Sequence, residues 1–272
     1  MHRLIPPFLA IIAILVLSAT AFAHDLFFRL ASYFVPPNTP VVVSVLNGTF
    51  LKSEGAVQRN RLREITLAAG GSRRALDTAD WSDSSKTTST LAFRTGAPGT
   101  YLIGASTKPR LIELSAKDFN EYLAHDGIPD VLAARKRNGE LGRPARERYH
   151  KHIKAVLQVG NARTDDFSAV LGYPAELVPL SNPYATRVGD TLSLRCLVDN
   201  MPAPAQYVVA GSETGAPKRA VSENGYRADS SGIVRIPITR RGKWYVKFIR
   251  MEPVKDSVDY ESKWASLTFE VR

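Results

Sequence analysis

Val41-Val-Val-Ser-Val-Leu46 and Thr191-Leu-Ser-Leu-Arg-Cys-Leu-Val198 decide the fold. In both, apolar side chains recur at alternate positions, the period of two that puts one face of a strand in a core. Each follows a turn-forming segment, Pro36-Pro37-Asn38 and Val188-Gly189-Asp190. Further on, Pro98-Gly-Thr-Tyr-Leu-Ile103 and Arg241-Gly-Lys-Trp-Tyr-Val246 share a turn glycine followed by an aromatic and β-branched run. That pattern closes a series of strands in immunoglobulin-like sandwiches. Asn224-Gly225 and Asp229-Ser-Ser-Gly232 supply hairpin turns beside Ile233-Val-Arg-Ile236, and Ser266-Leu-Thr-Phe-Glu-Val271 alternates as a last strand. The predicted fold class is mainly β, with two immunoglobulin-like or prealbumin-like β-sandwich domains at residues 24–112 and 165–272.

Residues 113–164 have a different texture and predict a small helical insertion and linker. Ser115-Ala-Lys-Asp118 resembles a capping box, with Asp in place of Glu or Gln, and Phe119, Tyr122 and Leu123 fall on one helical face. Asp126-Gly127 stops that helix. Pro129 suits the first turn of a second one, which ends at Asn138-Gly139. A third piece, helical or extended, begins near Pro144 and runs into Ala155-Val-Leu-Gln-Val159 as a strand.

The first 23 residues read as an export leader. Arg3 precedes an uncharged apolar run from Phe8 to Leu17, and Ala21-Phe22-Ala23 has the small-x-small form of a signal-peptidase site. The run is too short to span a bilayer comfortably. The expectation is a periplasmic or secreted protein with no transmembrane anchor in the mature chain, which would begin at His24. The whole sequence carries a formal net charge of +10, which draws a protein toward anionic glycan, lipopolysaccharide or phospholipid. Nucleic acid is excluded as a partner for an exported chain. Cys196 is the only cysteine, so no intrachain disulfide exists. Its alternation with Leu192 and Leu194 places it in the core as a small hydrophobe.

His24 is the first candidate for chemistry. As the first residue of a mature chain it would offer an α-amino group and an imidazole together, donors that nickel, cobalt and copper accept. Asp25 is the one local carboxylate that joins it as a candidate ligand, with His125, His150 and His152 more distant histidines. In Arg148-Tyr-His-Lys-His-Ile153 the two histidines share a face only in extended chain. The interleaved Lys151 and Lys154 argue for a solvated face there, and His125 suits a helix C-terminus. Between Arg135 and Lys154 eight Lys and Arg are opposed only by Glu140 and Glu147. That basic run, with Arg135, Lys136 and Arg137 at its head, is the candidate surface for an anionic polymer. No Gly-x-Ser-x-Gly elbow, His-Glu-x-x-His motif or phosphate-binding glycine loop occurs, which points away from an enzyme.

Ala23-His24-Asp25-Leu-Phe-Phe28, Lys108-Pro-Arg-Leu-Ile-Glu-Leu114, Phe119-Asn-Glu-Tyr-Leu123, Glu147-Arg-Tyr149 and Trp264-Ala-Ser-Leu-Thr-Phe269 together resemble one exported bacterial family. It is known as domain of unknown function 4198 and was once labelled a nickel-uptake periplasmic component. The resemblance covers nearly the whole mature chain. It implies a periplasmic β-sandwich protein associated with transition-metal uptake, with an envelope metal transporter as partner and His24 and Asp25 as metal ligands. Many relatives carry a His-Met pair where this chain has Arg250-Met251, so if that histidine is a second ligand in the family, this chain lacks it. The segment from Asn182-Pro-Tyr184 to Gly242-Lys-Trp244 also resembles prealbumin-like modules, a likeness of fold and not of function. The preferred function is therefore a non-enzymatic metal-binding protein. The rivals are an envelope scaffold that binds anionic glycan or lipopolysaccharide, and a copper-dependent oxidase.

Overall fold

The computed structural model describes residues 24–214 and 220–272. The expected leader and cleavage site lie outside the described residues. Among those described, the chain is mainly β, with α1 (Ala116–His125) and α2 (Pro129–Arg137) as its α-helices.

One large mixed sheet runs through the whole molecule. Its main path runs, in order, through Ala220–Arg227, Tyr207–Thr214, Gly242–Pro253, Tyr260–Val271, Ala145–Val159, Gly99–Thr107, Leu62–Ala69 and Ser72–Ala75, with Phe34–Val35 and Arg110–Leu114 also paired to Ala145–Val159. Strands from both expected sandwiches thus share a single sheet. Ala145–Val159 is its centre, pairing in parallel with Tyr260–Val271 and antiparallel with Gly99–Thr107 and Arg110–Leu114. This is the segment that the sequence leaves open between helix and strand. It is fifteen residues of strand, and from His150 to Val159 every residue is buried, with Ala155-Val-Leu157 apolar and at 0% exposure, as in a strand covered on both faces. Residues 113–164 are therefore a helical hairpin followed by the middle strand of the fold, rather than a helical insertion and linker throughout.

Two smaller sheets cover the large one. Asp25–Arg29, Pro40–Gly48, Ser89–Arg94 and Trp81–Ser82 form the first, and Ala175–Pro179, Thr191–Val198, Met201–Pro202 and Ile233–Pro237 the second. Side chains alternate across a strand, so the central strand serves both. Lys151 reaches the N-terminal sheet, where its Nζ donates to the His24 carbonyl oxygen, and Lys154 reaches the other, where its Nζ pairs with Glu176. Each half is thus a β-sandwich, and the halves are joined edge to edge through a common sheet.

A main core includes Phe28, Trp81, Leu102, Leu157, Leu194, Cys196 and Phe269, all fully buried. Cys196 is inert there, its thiol pushed up to about 12 by burial. The helical hairpin docks on the large sheet through a second cluster of Phe119, Tyr122, Leu123, Ile249, Tyr260 and Trp264. Ser115 caps α1 by accepting from the Asp118 N–H at 3.2 Å, as the capping-box resemblance requires.

Candidate functional site

His24 stands just before the Asp25–Arg29 strand, whose register pairs Asp25 with Gly48 and Phe28 with Val45. Its imidazole Nε2 lies 3.1 Å from the Glu54 carboxylate, and the ring remains about one-third exposed. Glu54 is brought there by a tight turn after Gly48. Thr49 N–H donates to the Lys52 carbonyl at 2.9 Å, and Glu54 N–H to Asn47 O at 2.8 Å. A Cβ on Gly48 would stand 2.5 Å from the Lys52 oxygen, so the turn needs glycine there. Glu54 is the functional neighbour that sequence reasoning misses, because thirty residues separate it from His24 and only strand pairing joins them.

Asp25 stands in an ion pair. Its partner is the Lys247 ammonium, which also has Asp126 at 4.0 Å. Burial works against the Lys247 charge, but the attraction of Asp25 and Asp126 wins and holds its pKa above the usual lysine value. Burial, with Asp25 beside it, pushes the Asp126 carboxyl upward. The expectation that Asp25 ligates a metal beside His24 therefore meets a carboxylate already engaged.

Beneath this ion pair lies a buried polar cluster contributed by the central strand. Glu147 accepts from the Tyr122 hydroxyl at 3.1 Å and from Ser262, while its second carboxylate oxygen has no partner. Burial raises its pKa to about 7. Ser262 in turn accepts from Trp264 Nε1 at 2.8 Å. Lys151 sits with its ammonium 4.5 Å from the centre of the Trp264 ring, and burial lowers its pKa to about 8. Sequence reasoning passes over this group because Glu147 and Lys151 read there as members of a basic run.

That run is only partly a wet face. Arg135 is buried beneath the Phe119 ring, 4.9 Å from its centre. It donates to Asn120 Oδ1 at 3.1 Å and to the carbonyls of Glu140 and Arg143 at 2.8 and 2.6 Å, bolting the helical hairpin together. Lys151 and Lys154 are also buried. Lys136, Arg137, Arg143 and Arg146 remain exposed, so the surface expected to meet an anionic polymer is thinner than eight charges suggest.

His150 and His152 are corrected likewise. Extended chain puts them on one face with ring centres 5.0 Å apart, but that face is covered and not solvated. Burial lowers both pKa values, most strongly at His152, whose Nδ1 lies 3.0 Å from Ser106 Oγ. Their Nε2 atoms accept or donate no hydrogen bond, although the His150 Nε2 has the Glu261 carboxylate at 4.0 Å. His125 stands where expected, exposed at the end of α1 with Nδ1 3.2 Å from Asp126. Arg250 forms a hydrogen-bonded pair with Glu252 at 2.6 Å. Among the described residues, no group of three or more His, Cys, Asp and Glu side chains gathers to hold a metal ion.

Among known structures, the chain resembles a tetra-tandem repeat from the extending region of a large adhesion protein at 12% identity and a TM-score of 0.25. That match covers 92% of this chain and 50% of the other. The D0-D1 domain of intimin matches at 12% identity and a TM-score of 0.22, covering 90% and 97%. A Salmonella alpha-2-macroglobulin mutant matches at 9% identity and a TM-score of 0.27, covering 90% and 15%. Likenesses this distant carry no function across. No curated protein matches the sequence. A family model does, over residues 21–252, which takes in His24, Glu54, Glu147, Lys151 and Lys247 but not Ser262 or Trp264. The chain belongs to the family described as Domain of unknown function (DUF4198).

Proposed function

We propose that this is an exported, non-enzymatic binding protein that captures or relays a transition-metal ion, nickel, cobalt or copper, at a mature N-terminus formed by His24. The observation that carries this reading is the contact between His24 Nε2 and Glu54 at 3.1 Å. A carboxylate on Nε2 fixes the ring tautomer with the proton on that nitrogen, the second-shell arrangement seen behind many ligating histidines. Nδ1 is left as the lone-pair donor. It is also the nitrogen near enough to the α-amine of the same residue to close a chelate ring with it.

Both donors come from one residue, so capture needs no cluster of side chains. The donor set of amine and imidazole suits nickel, cobalt and copper. The α-amine titrates near pH 8, so at neutral pH the metal displaces a weakly held proton. Two donors leave most of the coordination sphere to water or to a partner. That suits an ion handed on as cargo to an envelope transporter better than one locked in place.

Titration of metal-depleted protein beginning at His24 with Ni(II), Co(II) and Cu(II) tests this. Saturable binding should disappear in His24→Ala. In Glu54→Gln it should weaken by about 10–100-fold, the usual cost of losing a second-shell partner. Unchanged affinity in His24→Ala removes the proposal.

A further inference from the structure

On the other side of Lys151 from the ion pair, a cavity of about 260 Å³ opens between the N-terminal strand and the central strand. Arg61, Arg110 and Lys151 line it, together with Tyr149, Leu26 and Val57, and no carboxylate does. Asp25, Asp126 and Glu147, the carboxylates that act on Lys151, all lie outside its wall. Among the described residues neither Arg61 nor Arg110 has an ion-pair partner. The Arg61 guanidinium meets the Tyr149 hydroxyl and is repelled by Arg110, while its Nε is buried with nothing to donate to. Two like charges held over one cavity, with a buried donor unused, cost stability unless an anion completes the arrangement.

We propose that this cavity binds a small polycarboxylate. Guanidinium forks match a planar carboxylate with paired hydrogen bonds. The lining is not purely polar: Leu26 and Val57 offer apolar surface to a carbon skeleton between the charged ends, which a bare phosphate lacks. The volume is also many times the ~30 Å³ share of one water, so a single inorganic ion would leave most of it filled by solvent. This site is separate from the His24 chelate, and its occupancy does not depend on metal.

Calorimetric titration of metal-depleted protein with citrate, succinate and phosphate in turn tests the assignment. Citrate or succinate should bind saturably, and more tightly than phosphate. Arg110→Gln and Arg61→Gln should each weaken that binding by about ten-fold, the loss of one charge-assisted bond. Arg110 is exposed, so its variant keeps the fold, and thermal melting of both variants controls for misfolding. Two results would overturn the proposal: no saturable carboxylate binding at millimolar concentration, or affinity unchanged in Arg110→Gln. Phosphate binding as tightly as citrate overturns the carboxylate assignment. Because the protein carries no metal in this experiment, its failure leaves the His24 reading untouched, and the failure of that reading leaves this one standing.

Discussion

Lys151 and Lys154 lie three residues apart on one strand, are both buried, and face opposite ways. Lys154 is closed. Its ammonium pairs with Glu176, and that carboxylate also accepts the backbone N–H groups of Leu171, Gly172 and Tyr173 at 2.9, 2.6 and 2.8 Å. Every charge there has its answer, and the result pins a loop to the second small sheet. Lys151 is open. It has a carbonyl and a ring for neighbours, acidic groups near it but none in a direct pair, and an acid-free cavity alongside. A satisfied buried charge is architecture, and one left short of partners marks where a ligand or a proton belongs.

The contrast is tested first by breaking the closed side. Glu176→Ala strands a buried ammonium and three backbone donors, and should cost about 3–5 kcal/mol in chemical denaturation. Lys151→Met, which keeps length and packing over Trp264, should cost less than about 1.5 kcal/mol at neutral pH. Equal losses for the two would erase the distinction.

The next two effects appear as pH dependence. The Glu147 pKa rises from 4.5 to about 7 on folding. The native state therefore binds more protons than the unfolded chain between these values, and stability should fall as pH climbs through that window. Glu147→Gln should flatten the fall, with a gain above pH 7 on the order of 2 kcal/mol. For Lys151 the pKa drops from 10.5 to about 8. The unfolded chain then binds more protons between pH 8 and 10.5, so stability should rise across that range. The rise should be missing in Lys151→Met. Parallel pH profiles for wild type and each variant would contradict the assignment of these groups. The smallest expected effect on stability is His24→Ala, within about 0.5 kcal/mol for a surface side chain, although metal capture should vanish.

Much of the fold was legible because the strands carry their period openly. Val41–Leu46 and Thr191–Val198 are strands, Ser115 caps α1, Pro129 opens α2, and Cys196 is core. The central strand was harder. It is covered on both faces and carries Glu147, His150, Lys151, His152 and Lys154 inward, so its charged residues imitate a solvated surface. No local pattern tells a buried lysine whose counter-ion is Glu176, twenty-two residues on, from one facing water. The same holds at the N-terminus: His24 is visible as a residue, but Glu54 reaches it only through the pairing of Asp25 with Gly48. Asp25 is likewise visible beside His24, but its ion pair with Lys247, far along the chain, is not.

The chelate at His24 is tested most directly by moving the amine while keeping the ring. Two forms of the protein, one beginning at His24 and one retaining Ala23 ahead of it, are titrated side by side with Cu(II) and Ni(II). Saturable binding is expected in the first form and at least about 100-fold weaker binding in the second, where the nitrogen of His24 has become an amide and only the imidazole remains. Equal affinity in the two forms would contradict an amine-and-imidazole site.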